Sequence, residues 1–302
     1  MTETARSATH PAASPLRVAA VQSNPQVGLV NKEANVAATL DQINKCASEG
    51  ARLIVLPELA GTGYSFDTRE EAYAHAEPVP AGPTCTQWIE LAGRLDVYIV
   101  AGIAEIDGVH LYDSAVLIGP DGFIGAYRKT HLWNREKLLF TPGSAYPVFE
   151  TRIGRIGLLI CWDIWFPEVP RILTAQGADL ICSVNNWVWT PPPLFDHAGN
   201  CMAGYLTMGA SHVNSVPIIA ANRVGEERGG TFLGCSVITG VNGWPSAGVA
   251  DAEKEEILYA DVDVVASRSA VVWSELNDLP RDRRVDLYDP LLGYTGGRPK
   301  VR

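Results

Sequence analysis

The feature that most constrains this chain is a series of short apolar runs separated by amphipathic segments and by glycine and proline. Residues 16–22 (LRVAAVQ), 53–56 (LIVL), 98–105 (YIVAGIAE) and 155–161 (RIGLLIC) are nearly unbroken in apolar character, as expected of strands buried on both faces. Between them, 31–48 places Val36, Leu40, Ile43 and Cys46 at helical spacing and meets Gly50 as a stop. Helices are also expected over 83–94, over 167–176, with Pro167 in the first turn and Gly177 as the stop, and over 196–212. Further strands are expected at 113–119, 122–127, 178–183, 216–221, 232–239 and 256–262. The turn Gly119-Pro120-Asp121-Gly122 joins the first two of these as a hairpin. Strands and helices thus alternate, and no linker-like stretch divides them. The expectation is a single α/β domain over 16–302, with two sheets held between helix layers. Residues 1–15 are small and polar and read as a flexible tail, and the Pro/Gly-rich last forty residues read as an extended one.

Composition narrows the class of partner. Apolar residues make up 47% and charged residues 19%, which is ordinary for a globular chain. The formal net charge is −10 and no Lys/Arg-rich block occurs, so nucleic acid and anionic membrane are not expected as partners. No run of about eighteen apolar residues suggests a bilayer span. The N-terminal residues lack the apolar core of a secretion signal. Six cysteines are present, without a CxxC pair and without a nearby His at metal-ligand spacing. They read as reduced thiols of a cytoplasmic protein, most of them small core residues.

Three polar residues share one placement. Glu58 (LIVLPELAG), Lys129 (YRKTHLW) and Cys161 (GLLICWDIWFPE) each follow an apolar strand, where open α/β sheets gather functional groups. Read singly, each has an ordinary explanation: a core thiol, a solvated turn acid, a surface lysine. Read together they would suit a reaction centre, a reading that the pattern by itself does not decide. A thiol attacks an acyl or nitrile carbon, a carboxylate moves its proton, and an ammonium steadies the oxyanion. The cation is expected to favour the thiolate. His131 invites a Cys–His protease reading, but Glu58 and Lys129 already fill the roles it would take.

The segments around these residues resemble the nitrilase, or carbon–nitrogen hydrolase, superfamily. The resemblance rests on Pro57-Glu58, on 127–132 (YRKTHL), on 157–163 (GLLICWD) with Phe166-Pro167-Glu168, and on the flanking 18–22 (VAAVQ) and 221–225 (ANRVG). It implies a four-layer αββα sandwich, a triad at Glu58, Lys129 and Cys161, and a second glutamate that positions substrate, matched by Glu136. It also implies a homodimer or larger assembly and no metal or organic cofactor. Cys161-Trp162-Asp163 with Phe166-Pro167-Glu168 is similar to the amidase and carbamoyl-amidase branches. The expected function is therefore hydrolysis of a small-molecule amide to acid and ammonia through a Cys161 thioester. Nitrile hydrolysis and N-carbamoyl hydrolysis remain the alternatives, and a catalytically silent binding module the non-enzyme one. The Trp/Pro-rich segment 185–193 borders the pocket in that family. Tyr64, Trp162, Asn186 and Trp187 are accordingly expected to contact substrate, on an apolar or aromatic acyl side. Arg171 is within range of a substrate carboxylate but decides nothing.

Overall fold

The computed structural model of the chain describes residues 15–188 and 192–292. All of the expected N-terminal tail but Pro15, residues 189–191 of the Trp/Pro-rich segment, and 293–302 lie outside the described residues. In chain order the elements are β1 (Leu16–Gln22), α1 (Leu29–Ser48), β2 (Leu53–Val55), α2 (Arg69–His75), α3 (Pro83–Leu95), β3 (Tyr98–Asp107), β4 (His110–Gly119), β5 (Gly122–Arg128), α4 (Glu136–Leu139), β6 (Val148–Thr151) and β7 (Gly154–Ile160). There follow a 3₁₀ turn (Cys161–Trp165), α5 (Glu168–Ala175), β8 (Leu180–Val184), α6 (Met202–Asn214), β9 (Ile218–Ala221), β10 (Glu226–Glu227), β11 (Gly230–Thr231), β12 (Val237–Thr239), β13 (Pro245–Gly248), β14 (Glu256–Val262), α7 (Ser267–Ala270) and α8 (Val285–Leu292).

Two six-stranded sheets result, ordered β14-β1-β2-β3-β4-β5 and β13-β12-β9-β8-β7-β6. Each has a parallel triplet at its centre, β1-β2-β3 in one and β7-β8-β9 in the other, flanked by antiparallel strands. The register Ala20–Val55–Val100 runs straight across the first triplet. Side chains alternate between sheet faces, and the alternation builds four layers. Val18, Ala20, Leu53, Val55 and Val100 meet Ile156, Leu158, Ile160 and Cys182 between the sheets. Their sequence neighbours Ala19, Val21, Ile54 and Ile99 turn outward onto Ile43 and Cys46 of α1 and Trp88 and Leu91 of α3. On the far side Leu159, Ile181 and Ile218 pack on Val169 and Leu173 of α5. This is the αββα sandwich expected from the sequence. Among the described residues no helix is long and apolar enough to cross a membrane.

Differences from the sequence expectations have local causes. Helix α6 begins at Met202 rather than 196, because the Asp196 carboxylate accepts from the amides of Ala198 and Asn200 and closes a turn. The expected strand 232–239 is cut to β12 because Gly234 and Cys235 both take left-handed backbone, at φ 55° and 59°. The expected extended C-terminal segment contains α7 and α8, and the Arg268 guanidinium returns to Asp179 at 2.9 Å.

Burial of cysteines makes one prediction about stability. Burial pushes the Cys46 thiol up to about 11. Burial, aided by the carboxylates of Glu77 and Glu105, pushes Cys85 up to about 12. Between the ordinary thiol range and these values the unfolded chain releases protons that the native state retains, so stability falls as pH rises. The urea midpoint is expected to drop steadily from pH 8 to pH 10.5, and the slope is expected to flatten in Cys85→Ala. An unchanged slope in that variant would remove Cys85 from the account.

Candidate active site

Glu58 is held from both sheets. Strand β2 ends at Val55, and Pro57 turns the chain so that its carbonyl accepts from Gly102 of β3 at 3.0 Å. A Cβ at Gly102 would overlap the Glu58 Cα, so only glycine lets the backbone lie this close to β3. From the other sheet, the loop after β8 contributes the Asn185 carbonyl to the Glu58 amide at 3.4 Å, and the Asn186 Nδ2 to the Glu58 carbonyl at 2.9 Å. Lys129 follows β5, its amide on the Asp113 carbonyl of β4 at 2.8 Å. Cys161 follows β7 in left-handed backbone, φ 48°. That conformation is costly for a residue with a Cβ, by roughly 1–2 kcal/mol, and it swings the thiol out of the strand direction. The Asp163 carboxylate holds the turn by accepting from the Ile160 amide at 3.0 Å.

These three side chains converge in the buried interior. Glu58 and Lys129 are fully buried and Cys161 is 6% exposed. The Lys129 ammonium donates to Glu58 Oε1 at 2.6 Å and to Glu136 Oε1 at 2.8 Å, and lies 3.4 Å from Asp113 Oδ2. Glu58 Oε2 has no hydrogen-bond partner. Burial alone would strip the lysine of its proton, but the carboxylates of Glu136 and Glu58 outweigh it and hold the ammonium charged, well above its usual range. Cys161 goes the other way from the sequence expectation. Burial first, then the Glu58 carboxylate, raise its thiol well above the ordinary range, and Lys129 offsets this only in part. The resting residue is therefore a thiol that needs a base, because desolvation penalises the anion more than one shared cation repays.

Glu136 sits at the start of α4. It accepts from the Tyr64 hydroxyl at 2.6 Å and from the Trp133 amide at 2.7 Å, besides Lys129. Tyr64 is held in turn by Glu227. That carboxylate accepts from the amides of Val27 at 2.6 Å, Tyr64 at 2.9 Å and Ser65 at 2.7 Å. It faces the fully buried Arg223 at 3.3 Å. Gly63, at φ 74°, lets the loop wrap this carboxylate, where a Cβ would collide with it. Asp163 does similar work beside Lys129. Its oxygens take the Tyr127 hydroxyl at 2.7 Å, the Thr130 hydroxyl at 3.1 Å and the His131 amide at 3.2 Å. Sequence reasoning did not single out Asp113, Trp133, Arg223 or Glu227. Trp133, lying between Lys129 and Glu136 in one motif, and Arg223, within the family-like stretch 221–225, carried a signal.

A cavity of about 280 Å³ opens at Glu136 and Tyr64, walled by Phe66, Trp133, Phe140 and Val188, with Arg135 and Arg228 also in its lining. Arg228 is paired with Asp67 at 2.8 Å and Glu71 at 2.7 Å. Of the expected substrate contacts, Tyr64 lines this cavity, and Trp162 lies against its wall, 4.2 Å from Trp133 between ring centres. Asn186 is buried against Glu58, with its Oδ1 unpartnered. Trp187, by contrast, is 1% exposed and part of the core between the sheets, because its amide is drawn inward by Asn222 Oδ1; the next residue, Val188, lines the cavity. His131 is occupied elsewhere, with Nδ1 on Asp163 at 2.8 Å and its ring stacked on Phe166. Arg171 donates to the Val213 carbonyl and lines a different cavity. Glu58, Asp113 and Glu136 each place an oxygen within 4.8 Å of the others, a spacing that could hold a cation. The Lys129 ammonium bonded to two of them already supplies that positive charge.

The carbon–nitrogen hydrolase family model matches residues 17–270. The chain belongs to the carbon–nitrogen hydrolase family. Among curated carbon–nitrogen hydrolases it is 40% identical to a nitrilase of Pyrococcus abyssi over 280 residues, covering 90% of this chain and 99% of that one. It is 34% identical to an N-carbamoylputrescine amidase of Solanum lycopersicum, covering 88% and 92%. Among solved structures, a carbon–nitrogen hydrolase from Helicobacter pylori superposes with a TM-score of 0.79 at 26% identity, covering 92% of this chain and 98% of that chain.

Proposed function

We propose that this carbon–nitrogen hydrolase converts a small-molecule amide to its carboxylic acid and ammonia through a thioester on Cys161. The observation that carries the reading is Glu58: a fully buried carboxylate with one oxygen on Lys129 and the other unpartnered, beside a thiol that burial keeps protonated. Glu58 takes the Sγ proton as sulfur bonds to the carbonyl carbon. The carbonyl electron pair moves to oxygen, where Lys129 and the Trp162 backbone N–H receive it. The carbon–nitrogen bond then breaks as Glu58 returns the proton to nitrogen, and ammonia leaves. Water adds next. Glu58 takes its proton, the new carbon–oxygen bond forms, and the carbon–sulfur bond breaks with the proton going back to sulfur. Glu136 holds Lys129 in line, and Tyr64 and Trp162 shape the acyl side. The cavity is at the small end of ligand pockets, which favours a compact acyl group against an aromatic wall.

A nitrile substrate is the second reading, favoured by the 40% identity to a nitrilase. The same thiol addition then gives a thioimidate, which water converts to thioester and ammonia. Asp163, whose motif favoured amides, spends both oxygens on Tyr127, Thr130, His131 and Ile160; it bears on the choice only by resemblance. The test is ammonia release from matched panels, each acyl group offered as amide, nitrile and N-carbamoyl compound, with Cys161→Ala as the blank. Turnover of amides but not nitriles is expected. Faster conversion of nitriles to acid would make the chain a nitrilase, and preference for the N-carbamoyl series a carbamoyl amidohydrolase.

A further inference from the structure

Asp113 is the one carboxyl of the buried cluster that the reaction above leaves without work. It lies in the middle of β4, opposite Ala104 of β3, and is fully buried. The groups facing it are Glu58 after β2, Lys129 after β5 and Glu136 of α4. Glu105, nearby on β3, is taken up by Arg128 and the Ser114 hydroxyl. Three carboxyls therefore share one ammonium in a buried site. With all three ionised the cluster would carry two uncompensated negative charges.

The donors are unevenly distributed. Glu136 accepts from Lys129, Tyr64 and Trp133, and Glu58 from Lys129 at 2.6 Å. Neither oxygen of Asp113 has a well-aligned donor; the nearest is the Lys129 ammonium, 3.4 Å from Oδ2. A buried carboxylate is costly to ionise when no donor is aligned on it and its nearest cation is bonded to two other carboxylates. We propose that Asp113 is protonated in the resting enzyme and acts as a positioning residue, a neutral acid that leaves the Lys129 charge to Glu58 and Glu136 and offers its own proton toward Glu58. Burial, with the Glu58 carboxylate next, raises Asp113 well above the usual carboxylate range, in keeping with this. A neutral acid facing Glu58 stabilises the ionised base that must receive the Cys161 proton, as a second carboxylate could not.

The inference rests on the proposed use of Glu58 as base, and its test has one arm that needs no turnover. Infrared difference spectra of wild type minus Asp113→Asn at neutral pH should contain the carbonyl band of a protonated carboxyl. Its absence overturns the proposal whatever the substrate is. The second arm compares pH profiles of kcat/KM. In Asp113→Asn an amide donor replaces the acid, so the acid limb should move by less than about half a unit, with a several-fold loss of rate. In Asp113→Ala the donor is gone, and the acid limb should move up by about one unit, the cluster titrating as a whole. A downward move of both limbs in Asp113→Asn would mean that a negative charge had been removed, and Asp113 was ionised. Wild-type profiles in both variants would make it a bystander. If Asp113→Ala does not fold, the spectra and the Asp113→Asn profile decide alone.

Discussion

Glu58→Gln is expected to lower kcat by about 10²–10⁴-fold, the range for a general acid–base group, while KM changes little. The substitution keeps size and shape, and its carbonyl can still accept from Lys129, which Glu58 now bonds at 2.6 Å. What disappears, on the proposed mechanism, is the step that frees the Cys161 proton, which burial holds on the sulfur. The residual rate should climb with pH, since hydroxide must then do what the carboxylate did. Loss of the Glu58 charge also removes one of the contributions that raise Cys161, which works in the same direction. Single-turnover kinetics on the substrate identified by the panel, across pH 6 to 10, would measure this. A variant that kept more than about a tenth of wild-type turnover would sink the assignment of Glu58 as base.

Glu227→Ala is expected to be the most destabilising single substitution near the site, by about 3–5 kcal/mol, although Glu227 touches no reacting group. Its carboxylate faces Arg223, which is fully buried against the Phe232 ring at 3.9 Å. Removing it leaves that guanidinium charged and uncompensated, and orphans the amides of Val27, Tyr64 and Ser65 together. Urea unfolding would read the loss. Tyr64 is among the released residues and carries a hydrogen bond to Glu136, so kcat should fall as well, after correction for the folded fraction. The double variant Arg223→Leu with Glu227→Leu should recover part of the stability, because it removes the buried charge rather than exposing it, but not the activity. A single variant within about 1 kcal/mol of wild type would mean that water or the loop itself satisfies those groups.

Much of the fold could be read along the chain because the deciding features are local. A run such as 156–160 (IGLLI) carries no polar side chain, as expected of a strand covered on both faces. The ends of such strands are just as local, so Glu58 after Pro57, Lys129 after β5 and Cys161 after β7 could be placed at one rim before any distance was known. Short or irregular pieces were not legible. Strands β6 and β13 are four residues each, and Gly234 with Cys235 breaks a pattern that looked continuous.

The sequence by itself thus determined the layered α/β fold, because strand periodicity and strand termini are written in neighbouring positions, while the family and its three candidate residues were legible through the resemblance of the motifs around Glu58, Lys129 and Cys161. Only the tertiary structure decided the charge state and the company those residues keep. Asp113 looks like any polar residue of a strand until the segments that follow β2 and β5 bring Glu58 and Lys129 against it. Glu227 serves Tyr64 from 163 residues away. Trp187 is drawn into the core by an asparagine 35 residues on. Whether Cys161 rests as thiol or thiolate depends on burial competing with one shared ammonium. Desolvation and charge pairing are properties of everything that surrounds a group in space, and no stretch of chain contains them.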